Sequence, residues 1–216
     1  MRKIIDGSLY LLITSEYCRG RNVLDVAWEA ISGGVDIIQL REKNILRPYI
    51  TEIARPLADL CKNNKVVFII NDDPVLAKEL NADGVHLGQE DLKLFTVDEA
   101  RKVMGQGKII GLSASSVEEV RKAKLLDIDY IGFGPVFPTV VKESCVGTKD
   151  VQEVLEITKK RIFFLGGINL NNIDELLVKG AKNIAVIRAI TEASDVEAAA
   201  RGLKNKLEGA RDGKIT

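Results

Sequence analysis

The segment Gly33-Gly34-Val35-Asp36-Ile37-Ile38-Gln39-Leu40-Arg41 contains a helix end, then a short apolar run, and then a polar residue at the end of that run. Glycine tolerates the left-handed conformation that ends a helix, and the chain then enters a strand. Related junctions recur at Asn81-Ala82-Asp83-Gly84, Asp127-Ile128-Asp129-Tyr130 and Gly180-Ala181-Lys182-Asn183. This recurrence indicates a chain built from repeated strand and helix units of irregular length.

Apolar runs rich in Val, Ile, Leu and Phe recur along the chain and predict eight strands. They are Leu9–Thr14, Asp36–Arg41, Val66–Asn71, Gly84–Gly88, Ile109–Ser113, Tyr130–Gly134, Ile162–Gly167 and Asn183–Ala189. Most lack strict alternation, which is typical of parallel strands that are covered on both faces. Helical stripes lie between them, as in Val23, Val26, Ala27, Ala30 and Ile31.

Eight such units predict a (β/α)8 TIM barrel, formed as a single domain over residues 1–216. The length is near the lower limit of that fold, about 200 residues, and no Pro/Ser-rich linker divides the chain. An open doubly wound sheet is the alternative. Pro56 interrupts the helical stretch from Leu46 to Asn63, which predicts a kink or a restart of that helix.

Composition and charge narrow the class of function. Lysine plus arginine number 31 and aspartate plus glutamate number 31, so no global basic field exists to attract nucleic acid or a membrane surface. No uninterrupted apolar run exceeds five residues, and Leu9–Ile13 is too short for a signal-peptide core. Cys18, Cys61 and Cys145 are far apart, which argues against a disulfide framework or a zinc site. We expect a cytoplasmic protein, and homo-oligomerisation stays open.

Polar residues collect just after the predicted strands, where a barrel places its catalytic groups. Arg41 and Lys43 are two residues apart at a strand end, so both side chains can point the same way. A cation pair of this kind suits a diphosphate, and an ordinary solvated loop is the alternative. Gly166-Gly167 ends the seventh run and matches the phosphate site that barrels build from backbone N–H groups.

Two carboxylates suggest a metal site. Asp72 and Asp91 follow adjacent predicted strands and could share one Mg²⁺, which takes one or two carboxylates plus phosphate oxygens and waters. The alternatives are a helix N-cap for Asp72 and an ordinary turn for Asp91. Because Asn71, Asp72 and Asp73 stand in a row, any of them could provide the cap.

Three further side chains receive structural interpretations. His86 is the only histidine and lies inside the fourth predicted strand, so we expect a buried, hydrogen-bonded residue and not a general base. Trp28 and Met104 fall on helical patterns and are predicted to be core.

The polar groups after the predicted strands together suit an enzyme that joins a diphosphate-activated group to a phosphate-tagged acceptor.

Specific strings carry a resemblance to a known family. Gln39-Leu40-Arg41-Glu42-Lys43, His86-Leu87-Gly88-Gln89-Glu90-Asp91 and Gly134-Pro135-Val136-Phe137-Pro138-Thr139 resemble segments of thiamine phosphate synthases, and matching segments run through nearly the whole chain. The resemblance implies a (β/α)8 barrel that couples 4-amino-2-methyl-5-hydroxymethylpyrimidine diphosphate to 4-methyl-5-(2-phosphoethyl)thiazole. The products would be thiamine phosphate and pyrophosphate, formed by Mg²⁺-assisted dissociative substitution.

The resemblance also implies a set of site residues. The pyrimidine diphosphate falls on Gln39, Leu40, Arg41, Glu42, Lys43, Asn71, Ser113 and Lys142, and Mg²⁺ falls on Asp72 and Asp91. The thiazole phosphate falls on Thr139, Val140, Val141, Gly167, Ile187 and Arg188. Arg41, Lys43 and Lys142 would act catalytically by neutralising charge on the departing pyrophosphate, and no protein nucleophile is needed.

Three positions depart from the family pattern. Val141 stands where threonine is usual, Arg188 where serine is usual, and Ser115 where histidine is frequent. Related thiazole tautomerases use that histidine as acid and base, so Ser115 disfavours a tautomerase. Arg188 either replaces the contact that Val141 forfeits or points toward a helix carboxylate and leaves its backbone N–H to the phosphate. A non-catalytic sensor of phosphorylated ligands is the third interpretation.

Overall fold

A closed parallel barrel forms the centre of the molecule. The computed structural model describes residues 4–43, 45–139 and 145–213. Within these residues the strands are β1 (Leu9–Ile13), β2 (Ile37–Leu40), β3 (Val67–Asn71), β4 (Gly84–Leu87), β5 (Ile109–Ala114), β6 (Tyr130–Phe133), β7 (Arg161–Leu165) and β8 (Asn183–Val186). They pair in sequence order, and β1 pairs with β8 to close the ring. The predicted barrel is confirmed, and the open sheet is excluded.

Helices surround the barrel and connect its strands. They are α1 (Val23–Ser32), α2 (Arg47–Asn63), α3 (Pro74–Glu79), α4 (Val97–Met104), α5 (Val117–Ala123), α6 (Val151–Ile157), α7 (Ile173–Leu177), α8 (Arg188–Thr191) and α9 (Val196–Arg211). None of these helices of the described chain is long and apolar enough to cross a membrane. Helix α2 continues through Pro56, so the predicted restart is wrong.

The strand side chains separate into two apolar layers. Successive residues of a strand point to opposite faces, so one set meets the helices and the other fills the barrel. The outer layer includes Leu9, Leu11 and Ile13 of β1. The inner layer includes Tyr10, Ile37, Val67, Ile69, Ile109, Tyr130, Phe163 and Ala185. The barrel interior below the mouth is therefore a packed core and not a channel.

The recurring junctions connect neighbouring strands by hydrogen bonds at the amino-terminal end of the barrel. An Asp or Asn side chain stands at the start of each even-numbered strand. Its oxygen accepts a hydrogen bond from a backbone N–H near the start of the neighbouring odd-numbered strand. The pairs are Asp36 with Leu9 (2.8 Å), Asp83 with Phe68 (2.9 Å), Asp129 with Ile110 (2.8 Å) and Asn183 with Ser8 (3.1 Å). Gly34, Asn81 and Gly180 adopt the positive φ that the junctions predicted.

The two helical side chains assigned to the core behave differently. Met104 is buried in the outer layer, as predicted. Trp28 is 54% exposed, so its assignment to the core is wrong. The reason is its position on α1: the buried stripe runs through Val23, Val26, Ala27 and Ala30, and Trp28 falls beside it.

Candidate active site

The segment after β2 divides its side chains between two environments. Leu40 is buried in the outer apolar layer, so only its backbone is available to a ligand. The Glu42 carboxylate accepts hydrogen bonds from the Ser15 backbone N–H at 2.6 Å and from the Thr14 hydroxyl at 3.1 Å. Glu42 thereby fixes the turn that follows β1. Of the predicted substrate contacts in this segment, these two side chains have structural tasks of their own.

Arg41 and Lys43 follow β2 directly, at the carboxyl ends of the barrel strands. Lys43 Nζ is 3.8 Å from Asp72 Oδ2. Arg41 is also close enough for its charge to act on that carboxyl. Two cations and a carboxyl group from β2 and β3 therefore share one mouth, as the spacing in the sequence predicted.

Asp72 and Asp91 meet at this mouth, close enough for Asp91 to act on the pKa of Asp72. Asp72 has a φ of 64° and donates its backbone N–H to the His86 carbonyl at 2.8 Å. Asp91 Oδ2 accepts from the Gly88 backbone N–H at 2.9 Å. Burial raises the pKa of Asp72 to about 7, Asp91 adds to that rise, and Lys43 and Arg41 oppose it.

The cap that competed with the metal assignment lies on the neighbouring residue. Asp73 Oδ1 accepts from the Leu76 backbone N–H at 2.8 Å and so begins α3. The backbone of Pro74 follows as the first helical residue, which needs no N–H partner. The side chain of Asp72 is therefore not used as a cap.

The carboxyl pair fits a divalent cation that is shared with a ligand. Two neighbouring carboxylates repel one another when both are ionised, and a divalent cation between them offsets that repulsion. Across the described ranges no group of three or more His, Cys, Asp or Glu side chains is placed to hold a metal. Two carboxylates suit Mg²⁺, which completes its shell with water and phosphate oxygens.

His86 lies beneath the mouth, where both ring nitrogens have partners. Nδ1 is 2.9 Å from Tyr130 Oη, and Nε2 is 2.9 Å from Ser113 Oγ. Burial lowers the pKa of His86 to about 4, so the ring is neutral near pH 7. The prediction of a buried, hydrogen-bonded histidine is confirmed.

Tyr10 and Tyr130 are the interior polar residues that sequence reasoning missed. Gln39 Nε2 donates to Tyr10 Oη, and Tyr10 Oη is 2.9 Å from Tyr130 Oη. Burial raises the pKa of both phenols above their ordinary value, so both stay protonated at neutral pH. The alternation of side chains along a strand could have revealed them, because Tyr10 and Gln39 occupy inward-facing positions of apolar strands.

Two glycines after β7 let their loop pack closely against the loop after β6. Gly166 and Gly167 have φ values of 92° and 68°. A Cβ on Gly166 would lie 2.3 Å from Pro135 Cβ, and one on Gly167 would lie 2.7 Å from Phe137 Cβ. Only glycine tolerates both the dihedral angle and the contact. Asn172 Nδ2 also donates to the Gly167 carbonyl at 2.9 Å and holds the turn in place.

Arg188 is directed along its own helix. Its Nε is 2.7 Å from Glu192 Oε1, and its guanidinium carbon lies 5.8 Å from the centre of the Tyr17 ring. Strand β8 ends at Val186, earlier than predicted, so Ile187 and Arg188 form the start of α8. Of the two possibilities for Arg188, this geometry favours the one in which its backbone, and not its guanidinium, meets a phosphate.

The remaining predicted site residues are placed as follows. Asn71 ends β3, Ser113 lies near the end of β5, and Thr139 is half-buried in the segment after β6. Val140, Val141 and Lys142 lie outside the described residues.

Fold and site together define a class: a (β/α)8 barrel enzyme whose mouth combines cations, a carboxyl pair and a glycine turn, as needed for phosphorylated small molecules. A family profile described as thiamine monophosphate synthase matches residues 9–190. The chain belongs to this family. The predicted family and thiamine-phosphate synthase activity, that of a transferase, are confirmed by this match and by the relatives that follow.

Similar proteins cover nearly the whole chain. A thiamine-phosphate synthase of Persephonella marina is 39% identical over 206 residues, which are 94% of this chain and 97% of the relative. One from Shouchella clausii is 42% identical over 205 residues, with the same coverage. Among solved structures, a thiamine phosphate pyrophosphorylase from Pyrococcus furiosus has a TM-score of 0.85 at 32% identity and covers 94% of this chain and 96% of its own.

Proposed function

We propose that the barrel joins the pyrimidine diphosphate to the thiazole phosphate, carboxylated or not, and releases thiamine phosphate and pyrophosphate. With a carboxylated thiazole, CO2 is released as a third product. The observation that carries this proposal is the convergence of Arg41 and Lys43 with the Asp72–Asp91 pair at one mouth. Cations and a metal-binding carboxyl pair together match a diphosphate that must become a leaving group. The activity named for the relatives agrees with this chemistry.

Arg41 and Lys43 would act on the leaving group. The bond between the pyrimidine methylene carbon and the diphosphate oxygen breaks, and its electron pair leaves with pyrophosphate. Contacts from fixed cations strengthen as that charge grows, so they lower the barrier more than they tighten substrate binding. A well-placed group of this kind is worth about 3 kcal/mol. Lys142 joins them by resemblance.

Asp72 and Asp91 would hold Mg²⁺ through their carboxylate oxygens. When bound, the ion supplies positive charge to the diphosphate oxygens. Lys43, which lies 3.8 Å from Asp72, both orients that carboxylate and faces the same diphosphate. The electron-rich aminopyrimidine carries the positive charge until the thiazole nitrogen forms the new bond to the methylene carbon, so the chain needs no nucleophile of its own.

The second substrate would sit on the opposite side of the mouth. The glycine turn after β7, Thr139 and the backbone at Ile187 and Arg188 would bind its phosphate, because a barrel presents backbone N–H groups there. Binding at both sides places the thiazole nitrogen against the activated carbon. Positioning of this kind accounts for a large share of the rate of two-substrate reactions.

The tautomerase alternative finds little support at Ser115. Glu119 Oε2 accepts from the Ser115 backbone N–H at 2.6 Å and from its hydroxyl at 3.0 Å. This arrangement is a turn at the start of α5 and gives no acid or base near neutral pH. The sensor alternative rests only on the departures at Val141 and Arg188.

One assay separates the three functions. Purified protein with both substrates and Mg²⁺ should form thiamine phosphate and pyrophosphate in equal amounts, and leaving out either substrate should abolish both products. Binding of both substrates without product would indicate a sensor. Rearrangement of a carboxylated thiazole phosphate in the absence of the pyrimidine would indicate a tautomerase.

We also propose that the enzyme works in the cytoplasm. Its three cysteines are far apart in sequence, Cys18 and Cys61 are buried, and burial raises the pKa of the Cys18 thiol to about 11. Thiols of this kind suit a reducing compartment. Fractionation of cells that express the chain tests this placement.

A further inference from the structure

Five side chains form one continuous hydrogen-bond chain across the inside of the barrel. Gln39 donates to Tyr10, Tyr10 contacts Tyr130, Tyr130 contacts His86, and His86 contacts Ser113. The last three contacts are each 2.9 Å. The first four members are buried. Both ends, Gln39 and Ser113, are residues that the family resemblance assigns to the pyrimidine diphosphate.

The surrounding residues make room for this chain. A Cβ on Gly111 would lie 2.1 Å from Tyr130 Cζ, so only glycine admits the phenol at that register of β5 and β6. The Tyr130 ring also stacks on His86 with an interplanar angle of 24°. Buried polar groups are costly unless they are paired, and a fully paired network selects one arrangement of its members.

The Gln39 amide sets the direction in which the protons of this hydrogen-bond chain run. The Gln39 amide N–H donates to Tyr10, and within the described residues Tyr130 is the other hydrogen-bond partner of the Tyr10 hydroxyl. The buried proton of Tyr10 is therefore paired only if it goes to Tyr130. Tyr130 then donates to His86 Nδ1, which can accept only without a proton of its own, so the ring proton lies on Nε2 and points at Ser113 Oγ. Ser113 keeps its own proton for an outside acceptor. Phosphate oxygens are acceptors, so the reverse direction would leave Ser113 unable to bind them.

The Gln39 end of the hydrogen-bond chain offers an acceptor, whereas the Ser113 end offers a donor. Gln39 Oε1 is buried, and no group of the described residues donates to it. An unpaired buried acceptor costs about 1–3 kcal/mol unless a ligand supplies the donor. The exocyclic amino group of an aminopyrimidine is such a donor.

We propose that Tyr10, Tyr130 and His86 are positioning residues that polarise this chain, so that Gln39 offers an acceptor and Ser113 a donor to the two ends of one substrate. The identity of that substrate rests on the proposed function; the direction of the chain does not. The two can therefore fail separately.

A spectroscopic test reads the direction itself. His86 is the only histidine, so the ring nitrogen signals of the ¹⁵N-labelled protein need no assignment by mutation. Long-range ¹H–¹⁵N correlation near pH 7.5, without ligands, should show the Nε2–H tautomer. Tyr130→Phe removes the donor to Nδ1 and should move the Nδ1 resonance or mix the tautomers. An Nδ1–H tautomer in the wild-type protein would overturn the proposal, whether or not the protein is active.

A kinetic cycle tests whether the chain acts through Ser113. Tyr130→Phe should lower kcat/KM for the pyrimidine diphosphate about 10-fold and leave KM for the thiazole phosphate unchanged. In a Ser113→Ala background the same change should have an effect below about 2-fold, because the two residues share one pathway. Equal effects of Tyr130→Phe in both backgrounds would contradict the proposal.

Matched variants exclude a purely structural explanation. Tyr10→Phe interrupts the chain at a second point and should reproduce the kinetic loss even if Tyr130→Phe folds poorly. Tyr49→Phe removes a hydroxyl that is exposed on α2 and should change nothing. If the wild-type protein shows the Nε2–H tautomer but forms no thiamine phosphate, the proposed function fails and the polarised chain stands.

Discussion

At the scale of single residues, the carboxyl pair gives the sharpest prediction. Asp72→Asn or Asp91→Asn removes one charge from the proposed Mg²⁺ site, so the Mg²⁺ concentration for half-maximal activity should rise at least about 10-fold and kcat should fall. Thermal unfolding should stay near that of the wild-type protein, because an amide places no charge in the partly buried site where burial and Asp91 raise the pKa of Asp72. Titration of activity with Mg²⁺ measures the effect.

The neighbouring aspartate provides a matched control. Asp73 caps α3 and pairs with Arg47 at 3.1 Å, so it carries the same charge next to the site without belonging to it. Asparagine is also a good cap, so Asp73→Asn should leave both folding and the Mg²⁺ requirement unchanged. The metal assignment is refuted if all three variants respond alike.

Arg188 gives the second prediction at this scale. Its guanidinium is held by Glu192 at 2.7 Å and lies over Tyr17, so the side chain should add little to binding of the thiazole phosphate. Arg188→Ser should change KM for that substrate by less than about 2-fold, because a guanidinium that is held by Glu192 does not contact the phosphate. A rise of 10-fold or more would mean that the guanidinium reaches the phosphate and compensates for Val141.

Single residues also show where sequence reasoning ends. Arg41, Lys43, Asp72 and Asp91 could be placed together because parallel strands deliver their ends to one mouth, whatever the details of packing. The direction of the Arg188 side chain could not be predicted, because it depends on a rotamer and on a partner one helical turn away.

At the scale of elements, the close contact between the loops after β6 and β7 can be measured. Gly166→Ala should destabilise the protein for two reasons, the φ of 92° and the clash with Pro135. Gly105→Ala shares a φ of 86° but meets no atom of the described chain within 4 Å. The difference in free energy of unfolding between the two variants, measured in urea, isolates the loop contact and should be about 1–3 kcal/mol.

The same contact should matter for the thiazole phosphate. Gly166→Ala displaces the turn that would bind the phosphate, so KM for the thiazole phosphate should rise while KM for the pyrimidine diphosphate stays unchanged. Gly105→Ala should alter neither. Equal stability losses in the two variants would show that the loops separate at no cost.

Elements differ in how well the sequence predicts them. The strands and the stripe of α1 follow from apolar spacing. The cap of α3 could not be assigned among Asn71, Asp72 and Asp73 until the structure placed it on Asp73. The unbroken course of α2 through Pro56 does not follow, because tertiary packing offsets the cost of a lost hydrogen bond. The interior chain from Gln39 to Ser113 was also not predictable, since its members lie on five strands and meet only once the register is known.

At the scale of the whole molecule, the barrel supports its mouth from below. Tyr10, Tyr130 and Phe163 pack edge to face with ring centroids 5.2 to 5.9 Å apart and fill the interior. Such pairs add about 0.5–1.5 kcal/mol each beyond the burial of their area. Tyr10 and Tyr130 also belong to the hydrogen-bond chain from Gln39 to Ser113, so folding stability and the geometry of the site depend on the same residues.

This sharing predicts how stability depends on pH. His86 has a pKa of about 4 in the folded protein and about 6.5 when exposed. Between these values the unfolded chain binds more protons than the folded one, so the free energy of unfolding should fall as the pH drops from 6.5 toward 4. This difference in proton binding corresponds to a loss of about 3 kcal/mol over that window.

Other groups also titrate in this range, so the test compares two proteins. His86→Gln keeps a polar side chain in the barrel but has no proton to gain, and its stability should fall less steeply over the same window even though it starts lower near pH 7. Urea unfolding across that pH range gives both curves. Since Tyr10 and Tyr130 stay protonated in the fold but ionise near pH 10 when exposed, both proteins should also lose stability together at alkaline pH. Parallel curves on the acid side would show that His86 is not held neutral by burial, and the chain of hydrogen bonds that depends on a neutral ring would fail with it.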